Sequence, residues 1–176
     1  MGFHVGWFAV RGKTSSEVRS ELGLVETDSR EFVPESELTG VELPSGWYMV
    51  FCNDLIAAEL EAETLAGLSR GAEVMMFLVE EASMVSVAQG YAGGRNIWEV
   101  VHDSNSGREH LHAEGSLPPS FAVVRDKLAD ELKEDKHSAD YLFDIPAALS
   151  KSIIGFRHDE DIAGIEDDAF TVLERA

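Results

Sequence analysis

Three of the six histidines, His102, His110 and His112, lie close together in the chain, and they are the side chains best suited to hold a metal. On a strand, residues two apart face the same side, so His110 and His112 share a face. His102 joins them if Ser104 and Arg108 close a three-residue hairpin loop, because counting outward then pairs Asp103 with Glu109 and His102 with His110. If Asp103 and Arg108 close a four-residue loop instead, His102 pairs with Glu109 and points away. In the first register three imidazoles converge, a ligand set that suits zinc or another transition metal, and an added water would give a catalytic site.

A second group of reactive types is residues 155–161, Gly-Phe-Arg-His-Asp-Glu-Asp. Arg157 is expected to pair with a local carboxylate and fix the end of a preceding helix; the alternative brings Arg157 and His158 to His102 and Asp103 in a polar cleft. Asp159, Asp161 and Gly164 stand at positions one, three and six of a calcium loop. Ala163 and Phe170 occupy positions five and twelve, where oxygen ligands are needed, which argues against that loop. The chain has no GxxxxGK[ST] phosphate loop, HExxH or strand-linked GxGxxG. The candidate binding residues are therefore His102, Asp103, His110, His112, Arg157, His158 and Asp159, with no catalytic residue and no cofactor assigned; the metal alternative uses His102, His110 and His112.

The elements that must position these residues follow from periodicity. Residues 73–81, 84–91, 95–103 and 108–115 are four strand-like runs divided by short breaks, and short breaks force antiparallel pairing. A four-stranded meander over about residues 73–115 is the prediction. Upstream, two strands begin at Gly6-Trp7 and Gly46-Trp47. The first leads into the capping box Thr14-Ser15-Ser16-Glu17 and a short helix ending at Gly23; the second leads into a helical stretch with Ile56, Leu60 and Leu68. Residues 24–45, rich in acids and holding Pro34, Gly40 and Pro44, read as a long surface connection. Downstream, Pro118-Pro119-Ser120 starts a helix with Phe121, Val124, Leu128 and Leu132 on one face. A polar link reaches to Ser138, and Ile145-Pro146 opens a second helix closed by Gly155. Phe170-Thr171-Val172 is an edge strand or a terminal helical turn. The fold expected is a single α+β domain over residues 1–176, with an antiparallel sheet and helices packed on one face.

Charge narrows the partners. The 33 acidic residues against 14 basic ones give a formal net charge of −19, spread along the whole chain. A negative field of that size repels phosphate backbones and anionic lipid, so neither nucleic acid nor a membrane surface is an expected partner. It attracts a basic protein or a cation. The opening residues lack the basic stretch of a signal peptide, and the longest apolar run, residues 74–79, is far short of the ~20 that span a membrane. The lone cysteine, Cys52, lies between apolar residues and reads as a small buried hydrophobe. A cytoplasmic location is the expectation.

At Gly46-Trp47-Tyr48, Val79-Glu80-Glu81, His102-Asp103, Asp144-Ile145-Pro146 and Gly155-Phe156-Arg157-His158-Asp159 the chain resembles an uncharacterised family of small acidic stand-alone bacterial proteins. Proteins of this size and charge are similar to the immunity proteins encoded beside bacterial toxins. The acidic surface and that analogy of size and charge lead to the expectation of a non-catalytic, protein-binding role, as an immunity-like or accessory protein docking a basic partner. A metal-dependent or ligand-binding enzyme built on the histidines is the rival expectation, and homo-oligomerisation through the meander edge is the third.

Overall fold

A computed structural model describes residues 2–134 and 141–176. In chain order the elements are strand β1 (His4–Arg11), helix α1 (Ser15–Leu22), β2 (Leu24–Glu31), β3 (Leu38–Glu42), β4 (Tyr48–Cys52), α2 (Ala62–Leu68), β5 (Glu73–Glu80), β6 (Val85–Ala92), β7 (Arg95–Asp103), β8 (His112–Gly115), α3 (Ser120–Glu134), α4 (Ile145–Ile154) and β9 (Phe170–Arg175). The nine strands form one open antiparallel sheet in the order β2-β9-β3-β4-β1-β5-β6-β7-β8. The expected polar link to Ser138 falls partly on residues 135–140, outside the described residues, and the side chain of Leu132 is likewise not among those described.

β1 is the middle strand because its sequence, HVGWFAVR, can be buried on both sides, and residues Val5 to Val10 are all buried. Its register sets Trp7 opposite Phe51 of β4 and Phe77 of β5, so three aromatic side chains form a row across the sheet. Alternation then divides the interior into two cores. Val5, Trp7, Ala9, Met49, Phe51, Met75, Phe77 and Val79 face α3 and α4, meeting Phe121, Ile145, Leu149 and Ile154. Phe8, Val10, Tyr48, Val50, Cys52, Val74 and Met76 face the other way, onto Val18 of α1 and Leu65 and Leu68 of α2.

The helices therefore cover both faces of the sheet, which corrects the expectation of helices on one face. The cause is visible in β5: Val74 to Phe77 are buried without a break, and a strand apolar on both sides needs cover on both sides. A second correction concerns residues 24–45. They carry β2 and β3, and β9 inserts between these two. Phe170-Thr171-Val172 is thus part of an interior strand, neither an edge strand nor a helical turn. β2 hides in the sequence because only Leu24 among its residues is buried.

Local signals hold elsewhere. Thr14 caps α1 by accepting from the Glu17 amide at 3.1 Å while Glu17 accepts from the Thr14 amide at 2.7 Å, and Gly23 closes the helix in the left-handed region. Gly155, at φ 80°, ends α4 in the same way. The stretch expected to be helical from Ile56 is interrupted: a 3-10 turn at Ala58–Leu60 precedes α2, and Ile56 is 85% exposed. No helix among the described residues is long and apolar enough to cross a membrane.

Candidate functional site

The histidines do not assemble as either hairpin register requires. β8 begins only at His112, and Val101 pairs with it. His112 therefore shares its face with Val101, while His102, one residue on, lies fully buried on the opposite face with Trp98 and Val100. The connection between β7 and β8 is longer than a three- or four-residue loop, and it places His110 differently. His102 Nδ1 donates to the His110 carbonyl at 2.7 Å, and His110 Nδ1 accepts the Asp103 amide at 3.0 Å. Asp103 Oδ1 accepts the Asn105 amide at 2.9 Å. These groups spend their polar atoms shaping the loop. Among the described residues one set of metal-ligand types does converge: Glu99, His112 and Glu114, whose ligand atoms lie within 4.8 Å of one another on the exposed sheet surface. Glu99 is also held by the Gln89 side-chain amide.

The segment after α4 is built more tightly. Arg157 forks onto Asp159, with Nε to Oδ1 at 2.6 Å and Nη2 to Oδ2 at 3.0 Å, and its Nη2 also reaches Asp144 Oδ1 at 3.1 Å. It thus ties both ends of α4 together, the local pairing the sequence suggests. Burial pushes the Asp144 carboxyl above its usual range despite Arg157. Burial acts the same way on Asp159, but the hydrogen bonds and charge of Arg157 overcome it and hold that carboxyl low.

His158 points away from this pair into aromatic surroundings. Its ring meets Phe3 edge-on at 4.6 Å, stacks on Phe77 at 5.8 Å and lies 5.8 Å from Trp7. Its buried Nδ1 has no hydrogen-bond partner. Burial lowers its pKa; of the charges around it, Asp159, Glu81 and Asp144 oppose that shift and Arg157 reinforces it. The sign for stability follows. As pH falls, the unfolded chain takes up this proton before the folded one, so the native state loses stability from neutrality down to the folded pKa. His158→Phe is expected to lose less stability than the parent chain between about pH 7.5 and about pH 5.5 in urea titrations, and an equal loss would assign that pH dependence to other groups.

These residues open onto a pocket of about 510 Å³. Its floor is apolar: Val5 and Phe51 from the sheet, Phe156 after α4 and Phe170 at the start of β9, all buried. Phe3, Phe32 and Val33 stand at its mouth, 42%, 63% and 54% exposed. The β2–β3 connection that carries Phe32 and Val33 is pinned by Asn53, whose Nδ2 donates to the Pro34 and Ser36 carbonyls at 2.9 and 2.7 Å. Across the opening runs the α4–β9 loop, bringing Asp159, Glu160, Asp161, Glu166 and Asp167 to the rim, all exposed. Among the described residues no lysine or arginine lines the pocket. Asp159 and Glu160 are engaged by Arg157 and Lys151.

Sequence reasoning found His158 and Asp159 but missed the rest of the pocket, since Phe3, Phe32 and Phe170 are remote from one another in the chain. The signal available was Phe32-Val33-Pro34, two large apolar residues in an otherwise acidic connection. Cys52 is buried and free, and burial pushes its thiol up, so it offers no nucleophile. Fold and site together define an α+β protein with an open nine-stranded antiparallel sheet and an acid-rimmed aromatic pocket. No protein-family model, curated protein or solved structure matches the chain.

Proposed function

We propose that this chain is a non-catalytic binding module that docks a basic protein partner at the pocket beside β1, as an immunity-like or accessory protein of the bacterial cytoplasm. The observation that carries the reading is the pocket's composition: a phenylalanine floor, exposed apolar residues at the mouth, and five rim carboxylates with no lysine or arginine among the described lining residues. Exposed apolar residues gathered at a concave site mark contact surfaces on soluble proteins. The acidic surround, continuous with a net charge of −19, speeds the encounter with a cationic surface, and the aromatic floor supplies the buried contacts that give affinity.

The test uses a short peptide in which leucine alternates with lysine and arginine, and a counterpart in which glutamate replaces the bases. The basic peptide is expected to shift amide resonances of Phe3, Phe32 and Asp161, with affinity falling several-fold on raising salt from low to about 0.5 M. The acidic counterpart is expected not to bind. Reversing the rim with Asp161→Lys, Glu166→Lys and Asp167→Lys together is expected to abolish binding. Unchanged affinity in that variant would overturn the reading.

A further inference from the structure

The pocket's two kinds of lining narrow the group that enters it. This step rests on the docking reading above and adds the chemistry of the anchor. We infer that the pocket takes an arginine side chain of the partner, presented between apolar residues, in preference to lysine.

Three observations carry it. The first is the split among the rim carboxylates. Asp159 and Glu160 are engaged by Arg157 and Lys151, whereas Asp161, Glu166 and Asp167 form no ion pair with any described base. Uncommitted carboxylates beside an apolar cavity favour a planar, bidentate donor, and a guanidinium is that donor. The second is the ring surface at the mouth. Phe3 and Phe32 are large and exposed, and a guanidinium, more weakly hydrated than an ammonium, stacks on such faces at lower desolvation cost. The fold already uses this contact: the guanidinium of Arg11 sits 4.7 Å from the ring centre of Trp47, and that of Arg125 sits 5.5 Å from the ring centre of Phe121. Arg157 forked onto Asp159 shows the matching carboxylate geometry at the pocket's own edge.

The third is size. A cavity of about 510 Å³ is larger than one side chain and lies within the range of ordinary ligand pockets. It accommodates an arginine together with an adjoining apolar side chain, which the buried Phe51, Phe156 and Phe170 would receive.

The experiment compares three matched peptides by isothermal titration against the full chain: leucine alternating with arginine, with lysine, or with glutamine. The arginine peptide is expected to bind about tenfold more tightly than the lysine peptide, and the glutamine peptide is expected not to bind. Phe32→Ala, at an exposed position that leaves the core intact, is expected to remove most of the arginine preference while retaining charge-dependent binding. Equal affinity for the arginine and lysine peptides would overturn the arginine anchor and leave the basic-partner reading standing. Equal affinity for the glutamine peptide would replace the cation by a purely apolar occupant and overturn the anchor as well. Failure of both cationic peptides to bind would overturn the docking reading and the anchor with it.

Discussion

Trp7→Ala is expected to destabilise the fold by about 4 kcal/mol, a fall in melting temperature of about 10 °C. Trp7 is fully buried on the middle strand of the sheet. Its indole lies 4.2 Å from Phe77, stacks with Phe51 at 5.9 Å and meets Phe156 edge-on at 5.0 Å. Its Nε1 donates to Ser150 Oγ at 3.3 Å, and Ser150 in turn donates to the Phe156 carbonyl at 3.3 Å. Truncation leaves a cavity that rings on two neighbouring strands and the α4 end cannot all fill, and it removes the indole donor to the buried Ser150 hydroxyl. Trp7→Phe keeps most of the packing and is expected to cost about half as much. A loss below about 1 kcal/mol for the alanine variant in urea unfolding would show that the aromatic row is not a structural centre.

Arg157→Met is expected to have the second-largest effect, about 2 kcal/mol at neutral pH. Removing one partner of a buried ion pair leaves the other charge uncompensated. Here the Arg157 side chain is 14% exposed while Asp144 and Asp159 are 38% and 37% exposed, so solvent screens part of the loss and the figure lies below that for a fully buried pair. The pH dependence identifies the group responsible. The Asp144 carboxyl already titrates above its ordinary value through burial, and without Arg157 it rises further. A folded carboxyl raised in this way binds its proton before the unfolded chain does, so the variant recovers stability relative to the parent as pH falls from neutrality through the folded pKa. Asp144→Asn in the same background is expected to restore much of the loss at neutral pH. A deficit that is flat with pH and unmoved by Asp144→Asn would trace the effect to the lost packing of the arginine stem.

The sequence carried the local rules and lost the long-range ones. The capping box at Thr14 and Glu17, the stop at Gly155 and the strands around Trp7, Tyr48 and Phe77 were legible because each is decided by neighbours a few residues apart. β2 was not legible: LVETDSRE lies at the sheet edge with one buried side chain, so no apolar alternation marks it. Two-sided helix cover was implied by the unbroken apolar run of β5, but a choice between one and two helical layers also depends on where α1 and α2 pack, which local pattern does not specify. The histidine register failed on loop length, since a 3-10 turn at Ser104–Ser106 and the residues after it delay β8 to His112. Within the candidate site, His158 and Asp159 were found as a charged cluster. Their significance came from Phe3, Phe32 and Phe170, which only the sheet order brings to the same opening.

That sheet order also sets a sequence of events in time. β9, the last of the nine described strands in chain order, lies between two early ones, bonded to β2 on one side and β3 on the other. The central strands β4, β1 and β5 can pair as soon as residue 80 has emerged, and most of the α4 side of the core can form once residue 156 follows, with Phe170 still to come. β2 has no neighbour in the sheet until residues 170–175 arrive, and Phe170 supplies part of the pocket floor. A growing chain therefore assembles most of its core before it completes the pocket, and the side of the sheet that carries β2 and β9 is the side completed by the longest-range contacts and the slowest loop closure.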